Sequence, residues 1–251
     1  MLFMRAKVKV MKVMSDMQLD ILAFGAHPDD VEIGMGGTIA KYAQKGAKIG
    51  ICDLTKAELS SNGTVERRQM EAEKAGHILN IAKRIQLTFP DRGLYLKEEY
   101  VREIVQIIRK YRPKIIFAPY FEDRHPDHGH CAKLVEEAFF SSGIKKYNDN
   151  ENLLAYRADA LYFYMINGFH KPDFVVDISE TMDKKIASLE AYSSQFEKTE
   201  EGVMTPLTDG YVETVKSRER MFGKEVNRMY AEGFKVNKPF IIENDLLGGH
   251  S

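Results

Sequence analysis

Short apolar runs recur along this chain, and after most of them apolar residues return only every third or fourth position, the pattern of buried strands alternating with amphipathic helices. Residues 19–26 (LDILAFGA) are mostly apolar and too few for a helix, and Gly25 and Pro28 close them, which predicts a strand buried on both faces. A helix follows, with Ile39, Tyr42 and Ala43 on one face and Gly46 as its stop. Residues 48–54, 85–89 and 114–119 predict three more strands, separated by helices at 65–79 and 97–111. The second helix carries Val101, Ile104, Val105 and Ile108 along one stripe. Beyond these lie a helix at 131–140 and a polar connection centred on NDNEN, then strands at 161–166 and 174–179 and a helix at 181–196. A polar loop reaches 210, and a long charged helix spans 212–234. The tail KPFIIEND either pairs as a strand or covers an edge. The alternation predicts an α/β fold: a single domain over residues 19–251, with a mostly parallel, doubly wound sheet and helices on both faces.

Residues 1–18 alternate basic and apolar side chains without an apolar core of signal-peptide length or a membrane span, and are expected to form a weakly ordered extension. An edge strand at 7–13 is the competing reading, and Met11, Met14 and Met17 are alternative starts.

Composition narrows the class of partner. With 36 basic and 37 acidic residues the formal charge is −1, so no global field favours nucleic acid or an anionic membrane, and a small molecule is the expected ligand. Cys52 and Cys131 do not make a disulfide framework in 251 residues, which fits a reducing cytoplasm.

The chemistry lies where two predicted strands stop. The first ends in His27, Asp29 and Asp30; the strand at 114–119 ends in YFEDRHPDHGH. In open α/β sheets ligands bind beyond the carboxyl ends of strands, so two such clusters imply one shared site. Alone, Asp29 and Asp30 read equally well as caps of the following helix. Taken with the second cluster, His27, Asp30 and His128 form two nitrogen ligands and one oxygen ligand, a set that leaves a zinc position open for water. Asp29 points away from its neighbour and is free to act on that water. His125 can face the same cavity, with Asp127 or a backbone carbonyl fixing its tautomer. His130 should point away, and Cys131 is expected to pack. Gly34, Gly36 and Gly37 do not have the G-x-G-x-x-G spacing of a dinucleotide site. Arg68 can pair with Glu71 on one helical face, and Arg124 with Asp123 or Glu122; alternatively, both arginines hold a substrate carboxylate.

The segments AHPDDVEIGMGGT and HPDHGH resemble the zinc-dependent N-acetylglucosaminyl deacetylases of the PIG-L or LmbE type. DLTKAELSSNGT, PDRGLY, FEDRHPDH, INGFHKP and TPLTDGYVETV resemble the Bacillus-type enzymes that deacetylate N-acetylglucosaminyl-malate in bacillithiol synthesis. The resemblance implies a cytoplasmic, Rossmann-like, hexameric enzyme with one Zn²⁺ per chain, or another divalent metal in its place. It implies His27, Asp30 and His128 as ligands, Asp29 as general base, and His125 as the group that polarises the carbonyl or stabilises the oxyanion, with Asp127 beside them. Arg68, Arg124, Asn62 and Tyr211 are the substrate-binding residues expected from it. Many relatives carry arginine and glycine where this chain has Lys56 and Ala57. The competing readings are a non-catalytic metal- or nucleotide-binding module on the same fold, and a zinc hydrolase of some other amide.

Overall fold

The computed structural model describes residues 18–198 and 202–239. The expected extension therefore lies outside the described residues, as does the tail from Phe240 onward. Among the described residues the strands are β1 (Ile21–Gly25), β2 (Ile49–Thr55), β3 (Lys83–Phe89), β4 (Ile115–Pro119), β5 (Ala160–Tyr164), β6 (Phe174–Asp177) and β7 (Ala231–Val236). The helices are α1 (Asp30–Gln44), α2 (Val65–Leu79), α3 (Glu98–Tyr111), α4 (Pro126–Ser142), α5 (Met182–Glu190), α6 (Ser193–Phe196) and α7 (Tyr211–Glu225). One sheet runs β3-β2-β1-β4-β5-β7-β6; its first five strands pair in parallel, and β7 is antiparallel to both neighbours. The expected α/β fold with a mostly parallel sheet is what forms.

Alternate residues of β1 serve opposite faces. Leu22 and Phe24 join a core with Val101, Ile104, Val105 and Ile108 of α3 and Leu134 and Val135 of α4. Ile21 and Ala23 join a second core with Ile33, Met35 and Ile39 of α1, Leu189 of α5 and Val215 of α7. Burial on both sides accounts for the unbroken apolar run. Strand order reverses direction between β1, whose other neighbour is β2, and β4, so the crevice between their carboxyl ends is the switch point at which such folds bind ligands. No helix of the described residues is long and apolar enough to cross a membrane.

Several expected elements differ. The helix expected from residue 131 begins at Pro126, because proline is pre-organised for the first helical position and His125 caps it through its ring nitrogen. The helix expected at 181–196 is two, broken between Glu190 and Ser193. The helix expected to reach 234 stops at Glu225; Asn227 turns the chain at φ +56° and β7 follows. Patterning misses β7 because Glu232 looks solvent-facing, yet it is fully buried, with Lys185 Nζ 2.6 Å from its carboxylate.

Gly34 and Gly37 lie inside α1, where a Cβ would come within 2.0 Å of the Tyr164 ring and 2.7 Å of Ile178. Their service is packing, and the nucleotide reading loses its motif. Tyr42 is exposed rather than core-facing. α1 is also broken at Met35 (φ −149°, ψ 22°), and the amides freed by the break, Gly37 and Thr38, donate to the two carboxylate oxygens of Glu232 at 2.9 and 2.6 Å.

Candidate active site

β1 delivers His27, Asp29 and Asp30 to the crevice through a turn pinned by β2, where the amide and hydroxyl of Thr55 both donate to the Ala26 carbonyl at 3.0 and 2.9 Å. β4 delivers His125, Asp127 and His128 on the first turn of α4. The two clusters meet. Asp30 Oδ1 is 3.1 Å from His128 Nε2, and Asp30 Oδ2 is 3.5 Å from His27 Nδ1. The His125 ring stacks on His128 at 4.8 Å and meets His27 edge-on at the same spacing.

Neither member of the Asp pair caps α1 through its side chain. Asp29 occupies the cap position at φ +109° without a side-chain cap bond, a strained backbone for a residue other than glycine. Its carboxylate lies 2.8 Å from Arg68 Nη2, but Oδ2 is out of hydrogen-bond alignment and keeps its capacity to accept a proton. Burial, opposed by Arg68 and reinforced by Asp30, raises the Asp29 carboxyl to about 7. Arg68 is buried and fully engaged: Nε and Nη2 donate to the Pro28 carbonyl at 3.0 and 2.6 Å, and Nη1 to Ser60. The expected Arg68–Glu71 pair does not form; Glu71 takes Arg67 at 3.1 Å and the hydroxyl of Ser194 instead.

His125 accepts the Asp127 amide at Nδ1, 3.3 Å away, so the neutral ring carries its proton on Nε2. A backbone N–H, neither the Asp127 carboxylate nor a carbonyl, fixes that tautomer. Burial and the positive His27 and His128 push His125 down to about 4. The Asp127 carboxylate turns elsewhere, accepting the Arg92 amide at 2.7 Å and lying 3.7 Å from His27 Nε2.

Two further carboxylates complete the site. Asp91, at the turn after β3, accepts from His27 Nε2 at 3.1 Å and from the Leu59 amide at 3.0 Å. Asp123 Oδ1 lies 2.9 Å from His128 Nδ1. Each imidazole thus has one nitrogen toward Asp30 and the other toward a fixed carboxylate, the arrangement that orients histidine ligands. An aspartate just past a third parallel strand, in the PDRG turn, was the available signal for Asp91. Asp123 had none, because an EDR triplet reads as a surface ion pair.

The pocket, of about 260 Å³, is lined by His27, Asp29, Asp30, His125 and His128 at its base and by Arg92, Arg124, Asn62 and the 205–207 loop toward its mouth. Arg124 is exposed and, among the described residues, forms no ion pair with Asp123 or Glu122. Asn62 lines the wall, but its amide is spent on Val203, donating to the carbonyl and accepting the N–H, both at 2.9 Å. Tyr211 stands behind the wall with its hydroxyl 3.0 Å from the Ile166 carbonyl oxygen and from Asn167 Oδ1. His130 faces away, toward Tyr95, and Cys131 is buried in the core.

A divalent cation fits these residues. Burial alone would lower His27 and His128, yet the carboxylates of Asp127, Asp30 and Asp91 hold His27 well above its ordinary range, and Asp30 and Asp123 raise His128 to about 9. Asp30 is buried too, but the two histidines draw it well below the carboxylate range. So much buried negative charge around two imidazoles is balanced by protons or equally by a metal ion, which displaces them. His27, His125 and His128 each offer a nitrogen within 4.8 Å of the others, as do His27, Asp91 and Asp127 with their ligand atoms.

Residues 22–139 match the family model described as PIG-L, GlcNAc-PI de-N-acetylase. The chain is 32% identical over 230 residues to diacetylchitobiose deacetylase of Thermococcus kodakarensis, covering 86% of this chain and 82% of that protein. It is 25% identical to the probable N-acetyl-α-D-glucosaminyl L-malate deacetylase 2 of Bacillus anthracis, over 80% of this chain and 92% of that one. Among solved structures, a conserved protein of Thermus thermophilus superposes with a TM-score of 0.82 at 36% identity, covering 90% of this chain and 98% of its own. The matched segment runs from β1 through nearly all of α4 and so contains every group at the base of the pocket: the chain belongs to the PIG-L family of de-N-acetylases.

Proposed function

We propose that this chain removes the acetyl group from an N-acetylglucosamine conjugate, with N-acetylglucosaminyl-malate, a bacillithiol precursor, as the substrate. The observation that carries the reading is the convergence of the two strand-end clusters, with Asp29 and His125 facing the same pocket as His27, Asp30 and His128. In this reading His27, Asp30 and His128 hold one Zn²⁺, or another divalent ion in its place. When bound, the ion supplies Lewis acidity to a water and to the acetamide carbonyl.

The chain's own groups do the rest. Asp29 Oδ2 takes a proton from the attacking water, and Arg68, 2.8 Å away, holds it in place. The oxygen of water bonds to the acetamide carbon, and charge develops on the carbonyl oxygen, toward which the Nε2–H of neutral His125 donates. When the C–N bond breaks, the amine leaves with the proton Asp29 had taken, giving a free amino sugar and acetic acid, which ionises to acetate in water. His125 is neutral and keeps its own proton.

Arg124, exposed at the pocket mouth, and Arg92, half-exposed with one side on Asp127, favour a conjugate whose far end is anionic. The engaged donors of Arg68 suit it to Asp29 more than to that anion. A cytoplasmic hexamer belongs to the same reading, and sedimentation velocity of the purified chain checks the assembly. Acetate release by the zinc-loaded protein from N-acetylglucosaminyl-malate, diacetylchitobiose and N-acetylglucosamine tests the function. The malate conjugate should give the highest kcat/KM; a preference for diacetylchitobiose would retain the deacetylase and discard the malate. No release from any of them would favour the non-catalytic module.

A further inference from the structure

Asp123 is one of the most heavily hydrogen-bonded carboxylates among the described residues, and two of its hydrogen bonds come from one residue far along the chain. The Asn167 amide N–H donates to Oδ2 at 2.9 Å, the Asn167 side-chain Nδ2 donates to Oδ1 at 2.9 Å, and the His125 amide donates to Oδ1 at 2.8 Å. A carboxylate only accepts, so Nδ2 of Asn167 must face Asp123 and Oδ1 must face away. Oδ1 there meets the hydroxyl of Tyr211 at 3.0 Å. The segment carrying Asn167 is gripped once more, since Arg218 Nη1 donates to the Ile166 carbonyl at 2.7 Å while its Nη2 donates to the Ile33 carbonyl of α1 at 3.1 Å.

His128 Nδ1 lies 2.9 Å from the same Oδ1 of Asp123, out of hydrogen-bond alignment, and that buried nitrogen has no hydrogen-bond partner among the described residues. Asp123 is the acceptor nearest that nitrogen, and a small turn of the ring would set an Nδ1–H on it and leave the Nε2 lone pair directed at the Asp30 side of the pocket.

We infer that Asn167 is a positioning residue for the metal centre, fixing Asp123, and through it the tautomer and tilt of His128, with the Tyr211 hydroxyl setting the orientation of the Asn167 amide. The inference rests on His128 being a ligand, as proposed above. It also gives Tyr211 a role different from substrate contact.

Zinc affinity, measured by competition with a chromogenic chelator and without turnover, tests it. Asn167→Ala should bind Zn²⁺ about 10–100-fold more weakly than the native chain. Tyr211→Phe, which removes the hydroxyl shared between Asn167 Oδ1 and the Ile166 carbonyl and keeps the ring, should weaken it several-fold and in the same direction. In an Asp123→Asn background the Asn167→Ala change should cost little more, because both act through one contact. Losses that multiply instead, or native affinity in both Asn167→Ala and Tyr211→Phe, overturn the inference. Should Asn167→Ala fail to fold, Tyr211→Phe alone decides by the same criterion. His128→Ala separates the two readings: if it keeps zinc, the ligand assignment falls and takes this inference with it. If it loses zinc while Asn167→Ala does not, only the inference falls.

Discussion

From β1 to α4 the chain alternates strand and helix, whereas from β5 onward β7 runs backward between β5 and β6, and α5 and α6 follow each other with no strand between them. The first region carries the groups at the base of the pocket: His27, Asp29, Asp30, Asp91, His125 and His128. The second brings Asn167, Gln195 and the 205–207 loop to its walls, and buries Lys185, Arg218, Glu219 and Glu232 behind it. Reactive groups fall where parallel strands end, a place the topology dictates. Supports fall wherever the chain happens to return, and their identity is set by what they must neutralise.

That contrast can be broken most severely in the first region. His27→Ala, Asp30→Ala and His128→Ala should each lose the metal and all measurable activity while circular dichroism stays native. One equivalent of metal retained by all three would put the ion elsewhere, with Asp91 and Asp127 the next candidates. Asp29→Asn should keep its metal and lose about 10²–10⁴-fold in kcat, since the amide keeps the shape and removes the base. A near-native kcat there moves the base to another residue.

Changes in the second region should cost stability instead. Lys185 is fully buried between Glu219 at 2.8 Å and Glu232 at 2.6 Å. Lys185→Met leaves Glu232 without its cation and Glu219 with Arg218 alone, and should cost about 3–5 kcal/mol in urea unfolding, with kcat of the folded enzyme little changed. A stable variant with impaired turnover would erase the distinction between the regions.

The smallest effect sharpens the comparison from the other side, because Asp29, which faces the pocket, also weakens the fold. Asp29 has a carboxyl raised from 3.8 to about 7, so between those values the metal-free native chain binds more protons than the unfolded one. Stability therefore falls as pH rises across that window, and the deficit is complete above 7. Metal-free Asp29→Asn should melt higher than the native chain at pH 8, with the gap closing toward pH 4. A gap independent of pH would assign the strain to the φ +109° backbone alone.

Much of the first region is legible in the residues themselves. The helix at 65–79 has the expected bounds, and His27, Asp29, Asp30, His125 and His128 meet as two strand ends require. Less can be read of what holds them. Helical spacing pairs Arg68 with Glu71, whereas Arg68 crosses to Asp29 on another element, a choice made by burial. Asn62 and Tyr211 are expected to touch substrate, yet their polar atoms are taken by Val203, Ile166 and Asn167. Short-range patterning finds a residue's type and face but not its partner when the partner lies a hundred residues away. Glu232 is the extreme case: a charge in an apparent helix is in fact the buried centre of a strand.

The break in α1 at Met35 has a consequence for how the molecule is made. Gly37 and the Glu232 that receives its amide are separated by 195 residues. At a synthesis rate of about 5–20 residues per second, the helix bearing Asp30 waits on the order of 10–40 s on the ribosome for its carboxylate. A chain cut short before β7 leaves the Gly37 and Thr38 amides without that partner, each orphan costing about 1–3 kcal/mol, and leaves Lys185 with Glu219 alone. The helix bearing Asp30 is thus among the first parts translated and among the last completed, so an unfinished chain has no finished pocket.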